Sequence, residues 1–80
     1  MKIRVLFFAE LKDAFGPERT MEVPQGFTVR DMTVRLTGLS RLAAVRKESL
    51  VYAVNENFEN SDKVLNDGDD LAIMTPMSGG

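Results

Sequence analysis

Hydrophobic and polar positions alternate at the start of the chain and then give way to an apolar run. Residues 2–5 read Lys-Ile-Arg-Val, and Leu6-Phe7-Phe8-Ala9 follows directly. The alternation predicts a β-strand, and the apolar run predicts that its later half is covered on both faces. We therefore expect residues 2–9 to form a central strand, with the core favoured over an interface for Phe7 and Phe8.

A short helix and a second strand are predicted next. Leu11 and Phe15 lie one helical turn apart within residues 10–15, and Gly16-Pro17 follows. Proline cannot continue a helix, so the turn should end there. Residues 20–23, Thr-Met-Glu-Val, predict the second strand, which the turn residues at 24–26 close.

The main helix is predicted after this turn, where the period of the apolar residues changes. Apolar side chains recur at helical spacing, at Val29, Met32, Leu36 and Leu39. Thr28 can cap the first turn, and Asp31 three residues later completes a weaker form of the capping box. Gly38 is expected to stop the helix. Residues 40–48 are predicted to hold a further short helix or a largely exposed connection.

The last third of the chain predicts a hairpin, a turn and a final strand. Residues 50–54 are β-branched and aromatic, Asn55-Glu56-Asn57 is a turn signal, and Phe58 begins a return strand. Residues 66–70, Asn-Asp-Gly-Asp-Asp, contain the strongest turn signal, because Gly68 can take a positive φ. Residues 71–74 follow as the last strand.

This order of elements predicts an α+β fold built on one sheet. A chain of 80 residues forms one domain, residues 1–80, because it has too little apolar surface for two cores. The first and last strands are the most apolar, so we expect them in the middle of a mixed sheet, side by side and parallel. One main helix should pack across a single face, as in the ubiquitin-like β-grasp plan.

Charge and composition exclude several classes of function. With 12 acidic and 10 basic residues, the chain lacks the positive field that nucleic acid binding needs. No apolar run approaches the length of a bilayer span, so no membrane partner and a cytoplasmic location are expected. The chain has no cysteine and no histidine, which removes thiol nucleophiles, imidazole bases and thiolate metal sites. A metal site or acid-base pair made of carboxylates alone stays open among the 12 acidic residues, but most of these lie in predicted turns and on solvated faces. No catalytic side chain and no stably bound metal or cofactor are therefore expected.

Residues 75–80 have no periodicity and end in Ser78-Gly79-Gly80. We call them the arm and expect them to project flexibly from the sheet. Fully extended, the arm could reach roughly 20 Å, enough to bring a terminal carboxylate deep into another protein. A carboxylate is inert until activated, so this reading needs a partner that uses ATP to form an acyl-adenylate. The competing reading is a frayed terminus without function.

Five segments together resemble the small subunit of molybdopterin synthase, a ubiquitin-like sulfur carrier. They lie in the expected order over nearly the whole chain, at residues 5–12 (VLFFAELK), 26–29 (GFTV), 53–56 (AVNE), 65–72 (LNDGDDLA) and 76–80 (PMSGG). The related thiamine sulfur carriers share the fold and the diglycine, but usually lack the Leu-Phe-Phe-Ala-Glu opening. The resemblance therefore favours the molybdopterin branch.

The resemblance implies a two-stage cycle centred on Gly79 and Gly80. An adenylating enzyme of the ubiquitin-activating type uses ATP to adenylate the Gly80 carboxylate, and a sulfur donor converts it to a thiocarboxylate. The large synthase subunit then receives the arm, and Gly80 passes sulfur to the pyranopterin precursor of the molybdenum cofactor. The partner-binding residues implied are Met74, Thr75, Pro76, Met77 and Ser78.

The chain also departs from the family pattern just before the arm. Family members commonly carry aromatic residues and a Pro-Pro pair there, where this chain has Ile73-Met74-Thr75-Pro76. Methionine adapts to irregular apolar grooves, so Met74 and Met77 could form a partner contact, while core filling by Met74 is an equal alternative. Three further functions stay open: a thiamine-pathway carrier, a ubiquitin-like protein modifier, and a binding module that uses the sheet.

Overall fold

The computed structural model describes residues 1–8, 10–39 and 50–75. Within these ranges the chain forms five strands and two helices. In chain order they are β1 (Lys2–Phe7), α1 (Glu10–Phe15), β2 (Glu18–Glu22), α2 (Val29–Leu39), β3 (Val51–Val54), β4 (Asn57–Glu59) and β5 (Asp70–Met74). The helix or connection predicted for residues 40–48 lies outside the described residues.

The strands form one mixed sheet in the order β2-β1-β5-β3-β4. β1 and β5 are parallel neighbours in the middle, with Val5 opposite Leu71, whereas the other neighbouring strands pair antiparallel. Strands rich in apolar residues need neighbours on both sides, and this explains the central place of β1 and β5. The predicted ubiquitin-like β-grasp plan, with its parallel central pair, is confirmed.

The core lies between the sheet and α2. Val29, Met32 and Leu36 of α2 are fully buried against inward side chains of the strands. The strand residues of this cluster alternate along the chain, as a half-covered sheet requires, and are Ile3, Val5, Phe7, Tyr52, Val54, Leu71 and Ile73. The helix therefore covers one face of the sheet, as predicted.

The predicted capping box at the start of α2 is present. The Asp31 amide donates to Thr28 Oγ1 over 3.1 Å, and the Thr28 amide donates to Asp31 Oδ2 over 3.0 Å. Each side chain thus satisfies a backbone donor that the first turn leaves unpaired. The predicted stop at Gly38 was wrong, because α2 continues through Gly38 to Leu39.

Two predictions about strands also need correction. β2 begins at Glu18, two residues earlier than predicted, because Glu18 pairs with Leu6 of β1. Phe8 is 47% exposed and does not lie in the core, whereas its neighbour Phe7 is 2% exposed and stacks on Phe15. Successive side chains of a strand point to opposite faces, and α2 covers only one of them. The later half of β1 is therefore not covered on both faces.

Within the described ranges, no helix is long and apolar enough to cross a bilayer.

Candidate functional site

The base of the arm lies where the central strand β5 ends. Met74 is the last residue of β5, opposite Val51 of β3, and both Met74 and Thr75 are partly exposed. β1 runs parallel to β5 with Phe7 opposite Ile73, so Phe8 emerges at the same end of the sheet. The other predicted site residues, Pro76, Met77, Ser78, Gly79 and Gly80, lie outside the described residues.

The sheet face opposite α2 is uncovered by the described residues, and we call it the open face. Because Leu71 and Ile73 point into the core, Ala72 and Met74 point to the open face. The same alternation brings several other apolar side chains there, namely Leu6, Phe8, Val51, Ala53 and Phe58. Met74 therefore does not fill the core, and the open face reaches the base of the arm.

A row of cross-strand neighbours gives the open face its shape. Strand pairing joins Leu6 to Ala72, Ala72 to Ala53, and Ala53 to Phe58. The two alanines, Ala53 and Ala72, carry only a methyl group each, so the surface is recessed between the larger side chains at the ends of the row. We call these two residues the alanine floor. It forms the bottom of a concavity of about 340 Å³, whose other lining residues are Arg4, Leu6, Phe8, Asn55, Glu56 and Asp70.

The charged end of this concavity is organised around Asp70. Arg4 donates to both carboxylate oxygens of Asp70, from Nε over 3.1 Å and from Nη2 over 2.9 Å. Glu18 lies 4.0 Å from the same guanidinium. The hydrogen bond and negative charge of Asp70, with a smaller contribution from Glu18, raise the pKa of Arg4. Arg4 and Asp70 thus form a neutral, two-point ion pair.

Asn55 connects the β3–β4 turn to the start of β5. Its backbone amide donates to the Asp70 carbonyl over 2.8 Å, and its Oδ1 accepts from the Asp70 amide over 3.0 Å. Its Nδ2 donates to Oδ1 of the buried Asp69 over 2.9 Å. These three hydrogen bonds hold the turn at the rim of the concavity.

Exposed aromatic side chains are the part of this site that was predicted least well, since the core was favoured over an interface for Phe8 and Phe58 was assigned only to a return strand. Phe58 is 77% exposed and Phe8 is 47% exposed, both on the open face. The alternation that begins at Ile3 could have predicted the exposure of Phe8, since it assigns odd positions to the core and even positions to the other face. Exposed apolar patches of this kind are characteristic of surfaces that bind other proteins. Within the described ranges, acidic side chains form no group suited to hold a metal ion.

Comparison with known proteins identifies the family of this chain. The ThiS family profile matches residues 5–80. The molybdopterin synthase sulfur carrier subunit of Drosophila melanogaster is 37% identical over an alignment that covers 100% of this chain and 92% of that protein.

Two solved structures are also similar. Small archaeal modifier protein 1 from Methanosarcina acetivorans has 28% identity and a TM-score of 0.79, with 99% of this chain and 96% of that chain covered. A chain in the complex of subunits 1 and 2 of the molybdopterin-converting factor from Helicobacter pylori has 21% identity and a TM-score of 0.72, with both chains fully covered. The match of the profile and the full-length identity together show that this chain belongs to the ThiS family, in which its curated relatives are sulfur carrier subunits of molybdopterin synthase.

Proposed function

We propose that this chain is the sulfur carrier subunit of a molybdopterin synthase, with Gly80 as the residue that carries sulfur. The observation that carries the proposal is the position of Met74 and Thr75, because the central strand β5 ends at the border of the apolar open face and Thr75 is the first residue of the arm. The family match extends through residue 80, and a relative with 37% identity is a named carrier of this kind.

The chemistry takes place on a carboxylate, since the chain contains no thiol or imidazole. The Gly80 carboxylate attacks the α-phosphorus of ATP, which a partner adenylating enzyme binds, and pyrophosphate leaves. The resulting acyl-adenylate is an activated acyl group, and a donor at the oxidation level of sulfide displaces AMP from it. The product is a thiocarboxylate, which a second partner uses as its sulfur source. Gly79 and Gly80 have no side chains, so they can pass through a narrow channel.

The large synthase subunit is the proposed partner of the charged carrier. The structurally similar chain from Helicobacter pylori comes from a complex of two subunits, which supports a two-subunit assembly here. Phe8, Phe58 and Met74 offer apolar surface on the open face, next to the base of the arm. A partner that receives Met77, Ser78 and the two glycines in its active site would cover this surface at the same time. Burial of exposed aromatic side chains commonly dominates the free energy of such interfaces.

A reconstituted reaction tests the proposal. The chain is incubated with an adenylating enzyme, ATP and sulfide, and intact mass spectrometry then follows the replacement of one oxygen by sulfur at Gly80. We expect the replacement in the full chain and none after deletion of Gly79 and Gly80. Conversion of the pyranopterin precursor by the large subunit should disappear with the same deletion.

The deletion has a direct control, because the described core lies entirely within residues 1–75. The thermal unfolding of the chain without Gly79 and Gly80 should match that of the full chain. Its loss of activity then reports on chemistry and not on folding. Product formation by the shortened chain would contradict the proposal.

A protein modifier is the second candidate, and the likeness to small archaeal modifier protein 1 favours it. In that case the activated Gly80 carboxylate forms an amide with a lysine of a target protein instead of accepting sulfur. Covalent adducts of higher mass in extracts that contain ATP would support this function. A thiocarboxylate without such adducts would support the carrier.

A further inference from the structure

The β3–β4 turn contains a glutamate in a backbone conformation that favours glycine. Asn55 has a φ of 50° and Glu56 a φ of 72°, and these two residues alone connect Val54 to Asn57. Two-residue hairpin turns with both φ values positive typically read Asn-Gly or Asp-Gly. Asparagine tolerates this conformation, whereas the Cβ of glutamate is disfavoured in it.

Local structure explains Asn55 but not Glu56. Asn55 is held by its three hydrogen bonds to Asp69 and Asp70. The Glu56 side chain is exposed and makes no hydrogen bond or ion pair with the described part of the chain. Glycine at position 56 would fit the turn better, and within the described part of the chain the Glu56 carboxylate makes no contact that offsets this cost.

The surroundings of Glu56 indicate what its carboxylate can bind. It lines the same concavity as Arg4 and Asp70. Arg4 and Asp70 neutralise each other through their two-point ion pair, so the carboxylate of Glu56 is the one charge of the concavity lining that no described residue compensates. The neighbouring alanine floor is apolar. The complementary ligand is therefore an apolar side chain with a lysine or arginine beside it.

We propose that Glu56 is a specificity-determining residue for docking, and that it pairs with a basic side chain of the large synthase subunit while an adjacent apolar side chain rests on the alanine floor. This inference depends on the proposed function, which identifies the large subunit as a partner. The open face extends from Glu56 past Ala53 and Ala72 to Met74 at the base of the arm. A protein that receives the arm therefore lies over the concavity as well.

Binding of purified carrier to purified large subunit, measured by calorimetry at low and high salt, tests the inference. Glu56→Gln keeps the size of the side chain and removes its charge. We expect about a fivefold to tenfold loss of affinity at low salt, which lies between the small effect of solvent-exposed charge pairs and the larger effect of close pairs within interfaces. Glu56→Lys should bind still more weakly. The difference between Glu56→Gln and the unmodified chain should shrink at high salt, because ions screen exposed charges.

Glu59→Gln is the matched control. Glu59 lies in β4 opposite Tyr52, and its side chain is on the other face from Phe58. This variant removes one negative charge from the same hairpin without touching the concavity, so its affinity should equal that of the unmodified chain. An equal loss in Glu59→Gln and Glu56→Gln would show a general effect of net charge and would overturn the inference.

Glu56→Gly separates folding from docking. We expect a higher unfolding temperature, because glycine relieves the left-handed conformation, together with the same loss of affinity as in Glu56→Gln. Unchanged affinity in both variants overturns the assignment of Glu56 while the proposed function stands. If the Glu56 variants bind the large subunit normally and are impaired only in their adenylation by the activating enzyme, the assignment to the large subunit is overturned. Failure of the unmodified chain to bind the large subunit at all overturns both the inference and the proposed function.

Discussion

Leu36 and Phe58 are both large apolar residues, but they lie in opposite surroundings. Leu36 is fully buried in the core, whereas Phe58 is 77% exposed on the open face. We expect Leu36→Ala to lower the free energy of unfolding by about 2–5 kcal/mol, since it removes buried methyl groups and leaves a cavity. Phe58→Ala should lower it by less than about 1 kcal/mol, because the ring is mostly exposed and its cross-strand partner Ala53 offers only a methyl group.

Urea denaturation of the two variants measures this difference. The slope of the unfolding free energy with denaturant should be unchanged, so that the shift of the midpoint reports stability. A loss in Phe58→Ala as large as that in Leu36→Ala would mean that Phe58 supports the fold, and would argue against its role on a docking surface.

At this scale, Phe8 shows where reasoning from sequence failed. Its place in an apolar run suggested the core, but the period of two that begins at Ile3 continues through Phe7 and turns Phe8 outward. The apolar composition of the run indicated a buried Phe8, whereas the period of two indicated an exposed one, and the period was correct. Backbone geometry enforces the alternation of a strand, whereas an apolar residue is not excluded from the surface.

Among the elements, α2 has the clearest link between sequence and structure, because its first turn is capped by side chains. Thr28→Ala removes the hydroxyl that accepts from the Asp31 amide and should lower the free energy of unfolding by about 0.5–2 kcal/mol. Thr28→Ser keeps the hydroxyl and is the matched control, with stability close to that of the unmodified chain. Thermal unfolding followed by circular dichroism measures both, and equal stability of the alanine and serine variants would contradict a stabilising cap.

The ends of the elements were predicted well only where a side chain determines them. Thr28 and Asp31 mark the start of α2, and Gly68 with its positive φ marks the turn before β5. The start of β2 was missed because Glu18 has no apolar signal and joins the strand only by pairing with β1. Backbone pairing of an edge strand depends on its neighbour and leaves little trace in its own residues.

For the whole molecule, the sheet order predicts how protection against hydrogen exchange is distributed. β1 and β5 each have neighbours on both sides, whereas β2 and β4 are the edge strands of the sheet that the described residues form. Backbone amides of the central pair should therefore exchange most slowly in deuterated water, and those of β4 should be among the fastest in the sheet. Exchange followed residue by residue by NMR measures this, and slowest exchange in β4 would contradict the sheet order.

The sequence by itself determined the type and order of the described elements and the parallel central pair. It also showed that the chain has no thiol or imidazole that could act as a nucleophile. These features depend on local period, turn chemistry and composition, all of which can be read along the chain. The resemblance of five segments also led to the family that the full-length comparison then showed. The roles predicted for the arm, residues 75–80, stay predictions.

Only the tertiary structure decided which face of the sheet is open and what lies together on it. Leu6, Ala72, Ala53 and Phe58 come from four strands, and their row exists only because the register of three strand pairs aligns them. That no described residue pairs with the carboxylate of Glu56 likewise becomes visible only once Arg4 is seen to neutralise Asp70. Period along a chain defines two faces for each strand, but register between distant strands and the position of α2 determine which face meets a partner.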